Sequence, residues 1–286
     1  MHTPVMPREC LEYLGVRPDG VYLDSTAGLG GHTGAIARCL DTGLVLACDR
    51  DAESLARARE ATADCAARIH FHQALFSQLR EVLAAEKLPR LDGLLADSGV
   101  SKYQLTAGER GLSLLADGPL DMRMTRTQPR TAADIVNFES EKQIADLIYQ
   151  LGEERGSRKI ARAIVRARPI QTTGQLAKLI EGAVPRTGKL HPATQTFMAL
   201  RIAVNSEMEE LDALLEAIPD LVKPGGRAVI LAFMSLEDRK VKQRFQALAK
   251  DGRAKLLTRH VVRPQEEEIR GNPPSRSAKL RAIELL

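Results

Sequence analysis

The chain has 286 residues, 44% hydrophobic and 27% charged, with a net charge of +4, the balance of a globular protein long enough to bury a core without staples. No apolar run reaches the ~18–20 residues of a membrane span, and the first residues lack the apolar block of a signal peptide. Cys10, Cys39, Cys48 and Cys65 are scattered with no C-x-x-C pair. Secreted, membrane, collagen-like and disordered classes are therefore excluded, and a reducing cytoplasmic setting is expected.

In chain order, Val21-Tyr22-Leu23 predicts a first strand ending in Asp24, and Leu44 to Cys48 a second ending in Asp49. Ile69 to His72 predicts a third, and Leu94 to Ala96 a fourth ending in Asp97. Helical stretches such as Ala52 to Ala63 separate them. Continuous short apolar runs alternating with helices indicate a parallel sheet buried on both faces. Lys223 to Gly226 reads as a turn and Arg227 to Phe233 as a fifth strand. Ser235 then reads as the N-cap, with Asp238 three residues on, of a helix carrying Val241, Phe245 and Leu248 on one face. Candidates near Leu256 and at Leu280 to Leu285 complete a sheet of about seven strands.

Between Asp97 and Arg227 lies far more chain than the ~30 residues of a one-helix crossover, so a domain is inserted there. Ile144, Leu147, Ile148 and Leu151 follow helical spacing. From Arg155 to Arg201 there are ten basic residues and one acid, Glu181, a net +9 that leaves −5 for the rest. Arg155, Arg158, Lys159, Arg162 and Arg166 share one helical face, and Ile160 and Ile164 the other. Such a stripe is either a solvated helix face or the footprint of a polyanionic partner. The expected division is a first part over 1–105, an inserted helical substrate-binding domain over 106–205, and a second part over 206–286.

Asp24 to His32 (DSTAGLGGH) joins the first strand to a helix. Its glycines permit a tight turn and close ligand approach at a helix N-terminus. A dinucleotide fingerprint would require glycine where Thr33 stands. The remaining G-x-G, with Asp49 placed to accept from ribose hydroxyls, fits an S-adenosylmethionine site, with a nicotinamide site as the alternative. Asp97 reads either as a ligand-facing carboxylate at the carboxyl edge or as a turn carboxylate capping amides. His32 and His191 could be plain helix-boundary residues. No histidine pair has zinc spacing and no serine elbow is present, and ten aromatics without tryptophan disfavour base stacking across a sheet face.

These motifs, together with HTPVM, ACDRD around Asp49, ADSGVSKYQL from Ala96, GERGLSL from Gly108, GPLDMRM from Gly118, TAADIVN from Thr131, GEERGSRKIARAIV from Gly152, HPATQTFMALRIAVN from His191, SLEDRKVK from Ser235 and NPPSRSAKLR from Asn272, run nearly end to end. In them the sequence resembles the bacterial 16S ribosomal RNA cytosine-N4 methyltransferase family, MraW or RsmH. The resemblance implies a Rossmann-like α/β methyltransferase sheet split by a helical domain, S-adenosyl-L-methionine as cofactor, and 16S rRNA, within the small ribosomal subunit, as partner, with no membrane and no metal. It implies cofactor contacts at Gly30, Gly31, His32, Asp49, Phe76, Asp97 and Gln104. The RNA contacts expected from the basic stripe are Arg155, Arg158, Lys159, Arg162 and Arg166. The sequence departs from the family pattern at Ser98 and Lys102, at Ala232 and Met234, where the family has serine and histidine, and at Gln195 and Met198.

Overall fold

Apolar runs too short for helices and bounded by turn residues become strands in the computed structural model, which describes residues 4–99, 108–114, 116–186 and 191–286. Gln104 and Lys102 lie outside the described residues. The chain forms two compact units, one of Met1–Gly99 with Glu209–Leu286 and one of Val100–Met208.

The first unit opens with α1 (Pro7–Leu14), β1 (Val21–Asp24), α2 (Gly31–Ala37), β2 (Leu44–Asp49), α3 (Ala52–Ala61), β3 (Ile69–Gln73), α4 (Leu79–Ala85) and β4 (Leu91–Asp97). The second unit contributes α5 (Ala132–Phe138), α6 (Glu141–Gly152), α7 (Ser157–Ala167), α8 (Thr173–Ala183) and α9 (Thr194–Asn205). Then follow α10 (Glu207–Leu221), β5 (Val222–Ala232), α11 (Ser235–Lys250), β6 (Ala254–Leu256), α12 (Glu266–Gly271) and β7 (Lys279–Leu285).

The strands form one seven-stranded sheet in the order β3-β2-β1-β4-β5-β7-β6. β1 to β5 pair in parallel, and β7 runs antiparallel to both β5 and β6. Both faces are covered, which is why the strands read as unbroken apolar runs. Leu23, Leu46, Leu94, Ala96 and Ile230 face one core with α4, α10 and α11. Tyr22, Val45, Leu95, Val229 and Leu231 face another with α1 and α2. Burying each large aliphatic side chain is worth about 1.5–3 kcal/mol. Strand order reverses between β1 and β4, the position where open α/β sheets bind ligands at their carboxyl ends.

Three local expectations change. The Lys223–Gly226 turn lies within β5, which starts at Val222: Leu91 pairs with Val222 but Gly93 with Arg227, so the chain bulges between them. Gly225, at φ 76°, supplies the left-handed residue. The cap of α11 is Met234, not Ser235, and Glu237 rather than Asp238 closes it, its Oε2 accepting from the backbone N–H groups of Phe233 (2.9 Å) and Met234 (3.1 Å). The helix expected to Ala63 ends at Ala61, because a 3₁₀ turn over Ala63–Arg68 leads into β3.

In the second unit, Ile144, Ile148, Ile160, Ile164, Leu176, Ile180, Phe197 and Leu200 build one core. Thr131 with Asp134, Ser140 with Gln143 and Thr172 with Gln175 form capping boxes that fix where α5, α6 and α8 begin. Asn205, at the end of α9, donates to the carbonyls of Met122 and Arg201 (both 2.8 Å) and accepts from the Met124 N–H (2.8 Å). No helix among the described residues is long and apolar enough to cross a membrane.

Candidate active site

The glycine turn after β1 is stitched to both neighbouring strands. The Ser25 N–H and hydroxyl both donate to the Leu95 carbonyl at 2.9 Å, and the Asp97 N–H donates to Thr26 Oγ1 at 2.6 Å. On the other side the Ala27 N–H donates to the Cys48 carbonyl at 2.8 Å and the Gly28 N–H to Asp49 Oδ2 at 2.8 Å. Gly30 caps α2 at φ 84°, a left-handed conformation that costs a side chain, and a β-carbon there would stand 3.1 Å from the Ala58 backbone.

The three strand-end carboxylates have different situations. Asp24 is fully buried, with Oδ1 accepting from the Thr26 N–H (3.1 Å) and Oδ2 from the Thr33 hydroxyl (2.6 Å). It is the turn carboxylate that the sequence left as one reading of Asp97. Asp49 accepts from Gly28 on one oxygen and from the Asp51 N–H on the other (2.9 Å). Burial raises its pKa to about 6, against the pull of those two backbone bonds.

Asp97 has no such fasteners. Its Oδ1 is buried with no hydrogen-bond partner among the described residues. Its Oδ2 stands 3.5 Å from His32 Nε2, whose side chain is only 6% exposed. At that separation the contact is too long for a good hydrogen bond, and Nε2 likewise has no hydrogen-bond partner among the described residues. Burial works against the imidazolium, but the Asp97 carboxylate, with Asp24 behind it, more than offsets this and holds the pKa of His32 above its ordinary value. His32 is thus the second residue of α2 and also an inward-facing partner of β4, a pairing that sequence spacing does not reveal.

Gly30, Gly31 and His32 therefore stand at the start of α2, beside Asp49 and Asp97 at the ends of β2 and β4. Phe76 opens a 3₁₀ turn (Phe76–Gln78) after β3, half-buried against the core on the α4 side, compatible with either a core residue or a ligand wall. His191 bounds α9 as expected, its Nδ1 accepting from the Ala193 N–H at 3.1 Å.

The basic stripe belongs to the second unit. Arg158, Lys159, Arg162 and Arg166 are exposed on α7, opposite buried Ile160 and Ile164. Arg155 is exposed too, but it precedes α7, which starts at Ser157 because Gly156 ends the preceding turn. Two members of the basic stretch are structural. Arg168 donates to the carbonyls of Val136 (2.7 Å) and Glu139, and Arg201 Nε pairs with Glu207 Oε1 at 2.7 Å.

A sequence model of the MraW methylase family matches residues 1–286. The "Ribosomal RNA small subunit methyltransferase H" of Solibacter usitatus is 58% identical over 285 residues, covering 100% of both chains. Proteins of the same name from Acidobacterium capsulatum and Syntrophobacter fumaroxidans are each 46% identical, covering 99% of this chain and 98% and 96% of theirs.

Proposed function

The chain belongs to the MraW methylase family, and from that premise we propose that it transfers a methyl group from S-adenosyl-L-methionine to the N4 amino group of a cytidine in the decoding region of 16S rRNA. The observation that carries this reading is the full-length likeness to small-subunit rRNA methyltransferases.

The residues at the carboxyl edge fit the cofactor. Its ribose hydroxyl donors match the Asp49 carboxylate at the end of β2. Asp49 would take the ribose hydroxyls, Gly30, Gly31 and His32 the amino-acid end, and Phe76 the adenine face. The family resemblance adds Gln104. When bound, the cofactor supplies an electrophilic methyl group on a sulfonium that leaves readily.

The task left to the protein is the nucleophile. The lone pair of the cytosine amino group is delocalised into the ring, so the nitrogen must be held ~3 Å from the methyl carbon and in line with the breaking bond. Asp97 Oδ1 can accept an amino hydrogen and stabilise positive charge as it develops on the nitrogen. His32 Nε2 lies 3.5 Å from the other oxygen of that carboxylate. The base must reach the site unpaired or flipped out of its stack. The exposed cations on α7 grip phosphates without reading sequence.

The test is incubation of the purified protein with labelled S-adenosylmethionine and small ribosomal subunits from cells lacking this activity, followed by nucleoside analysis. N4-methylated cytidine is expected. A different methylated nucleoside, or no product from a protein that binds the cofactor, overturns the assignment.

A further inference from the structure

Between Arg239 and Arg263 the sequence carries nine basic residues and one acid, Asp251, a net +8. This stretch, on the methyltransferase unit, is more concentrated than the one containing α7, +8 over 25 residues against +9 over 47. Part of it is spent on packing: Lys240 pairs with Asp212 at 2.5 Å and Arg244 donates to the Leu215 carbonyl at 3.2 Å, tying α11 to α10. Lys242, Lys250, Arg253, Lys255, Arg259 and Arg263 are exposed and make no ion pair among the described residues.

Two of these cations, Lys242 and Arg259, line one recess. Lys242 and Gln246 of α11, with Thr258, Arg259 and Arg281, line a shallow recess over Phe245. Arg281 is held in place by Asp238, its Nε 2.6 Å from Oδ1. The recess lies near the site's own edge of the sheet. Arg281 on β7 stands opposite Ile230 on β5, which stands opposite Ala96, the neighbour of Asp97. Two strand spacings of ~4.8 Å put it ~10 Å across the sheet from β4, a span that an RNA strand covers in a few nucleotides.

We propose that this face of the methyltransferase unit is a second binding surface for the phosphate backbone of ribosomal RNA, with Lys242 and Arg259 at its centre, holding the strand beside the base presented at Asp97. The proposal rests on the rRNA reading above. A small anion would need a buried, fully liganded cation. Exposed cations spread over a helix, an edge strand and the segment after it instead make many weak contacts with a repeating charge. A flipped target base also needs its flanking backbone anchored close to the pocket.

The experiment compares binding of protein-free 16S rRNA by the wild type, the double variant K242Q/R259Q and the control K87Q/R90Q, across a range of salt concentrations. The control removes the same charge from exposed positions of the same unit, between α4 and β4. Each phosphate contact contributes ~0.7–0.9 to the slope of log K against log salt. K242Q/R259Q is therefore expected to lower the slope by ~1.4–1.8 with cofactor affinity unchanged, while the control leaves it within ~0.3 of the wild type. A wild-type slope in K242Q/R259Q, or an equal drop in the control, overturns the surface while leaving the methyltransferase reading intact. A wild type that neither binds this RNA nor methylates small ribosomal subunits overturns that reading, and the surface with it.

Discussion

His32 Nε2 and Asp97 Oδ2 face each other across 3.5 Å, joining the start of α2 to the end of β4, while the second oxygen of Asp97 has no hydrogen-bond partner among the described residues. A half-engaged, part-buried carboxylate calls for an explanation, and on the proposed reading it is held for the substrate. Asp97→Asn is expected to lower kcat by ~10²-fold, as for loss of one transition-state hydrogen-bond partner. Cofactor affinity should change less than about threefold on the same reasoning. Single-turnover kinetics with calorimetry checks this, and a variant that loses cofactor affinity with kcat intact would move Asp97 to the binding role.

On the proposed reading, proton and cofactor compete for Asp49. With its pKa near 6, the carboxyl is ionised at pH 7 and able to accept from hydroxyls. Cofactor affinity should be flat above that value and fall by up to about tenfold per pH unit below it. Asp49→Asn should flatten the profile, as read by calorimetry between pH 5 and 7 (about one unit either side of the transition). The stability effect has the opposite sense. A raised carboxyl pKa means that the folded state holds the proton more tightly, so this group's contribution is greatest below the unfolded value of about 4 and is lost as pH rises through about 6.

Gly30→Ala should destabilise the first unit by about 1–3 kcal/mol. It places a β-carbon in a left-handed conformation, 3.1 Å from the Ala58 backbone. Thermal unfolding reads the loss, and an unchanged midpoint would mean that the turn relaxes at no cost.

Neutralising Arg158 and Arg162 should weaken rRNA binding and reduce its salt slope by ~1.4–1.8. Arg162 is 3.6 Å from Glu141, so its charge is partly shared within the unit, and the Arg158 single variant should have the larger effect. An unchanged slope in the double variant would make the α7 stripe a solvated face.

Asn205→Ala should cost about 2–4 kcal/mol. It leaves the Met124 N–H and the carbonyls of Met122 and Arg201 without their buried partner. Unfolding by denaturant checks it, and a loss under ~1 kcal/mol would mean that water replaces the side chain.

The strands were legible because parallel strands buried on both faces must be continuously apolar, so Asp24, Asp49 and Asp97 could be placed at their ends from sequence. Their division of labour was not legible. Whether a strand-end carboxylate fastens the turn or faces a ligand depends on Thr33 and Thr26 lying within reach of Asp24, and on His32 turning toward Asp97. The bulge in β5 was hidden because Pro224-Gly225-Gly226 reads the same in a turn as in a bulge. Arg155 was counted on α7 because helical phase extends past a helix start unless a cap stops it, and Gly156 gives no polar cap signal. The cations around Lys242 and Arg259 were missed because the charge outside Arg155–Arg201 was read as a sum. Acids elsewhere cancel a local +8.

The place of β7 between β5 and β6 bears on the order in which the molecule is made. During synthesis β6 emerges with no neighbour to pair with, and it waits until Lys279–Leu285 arrives to join it to β5. The helical unit, drawn from one unbroken stretch of chain, can mature well before that. Birth order thus favours an insert that is finished while its host is still open. Release of a chain cut short of Lys279 would leave one exposed strand and one half-paired strand, both inviting edge-to-edge association.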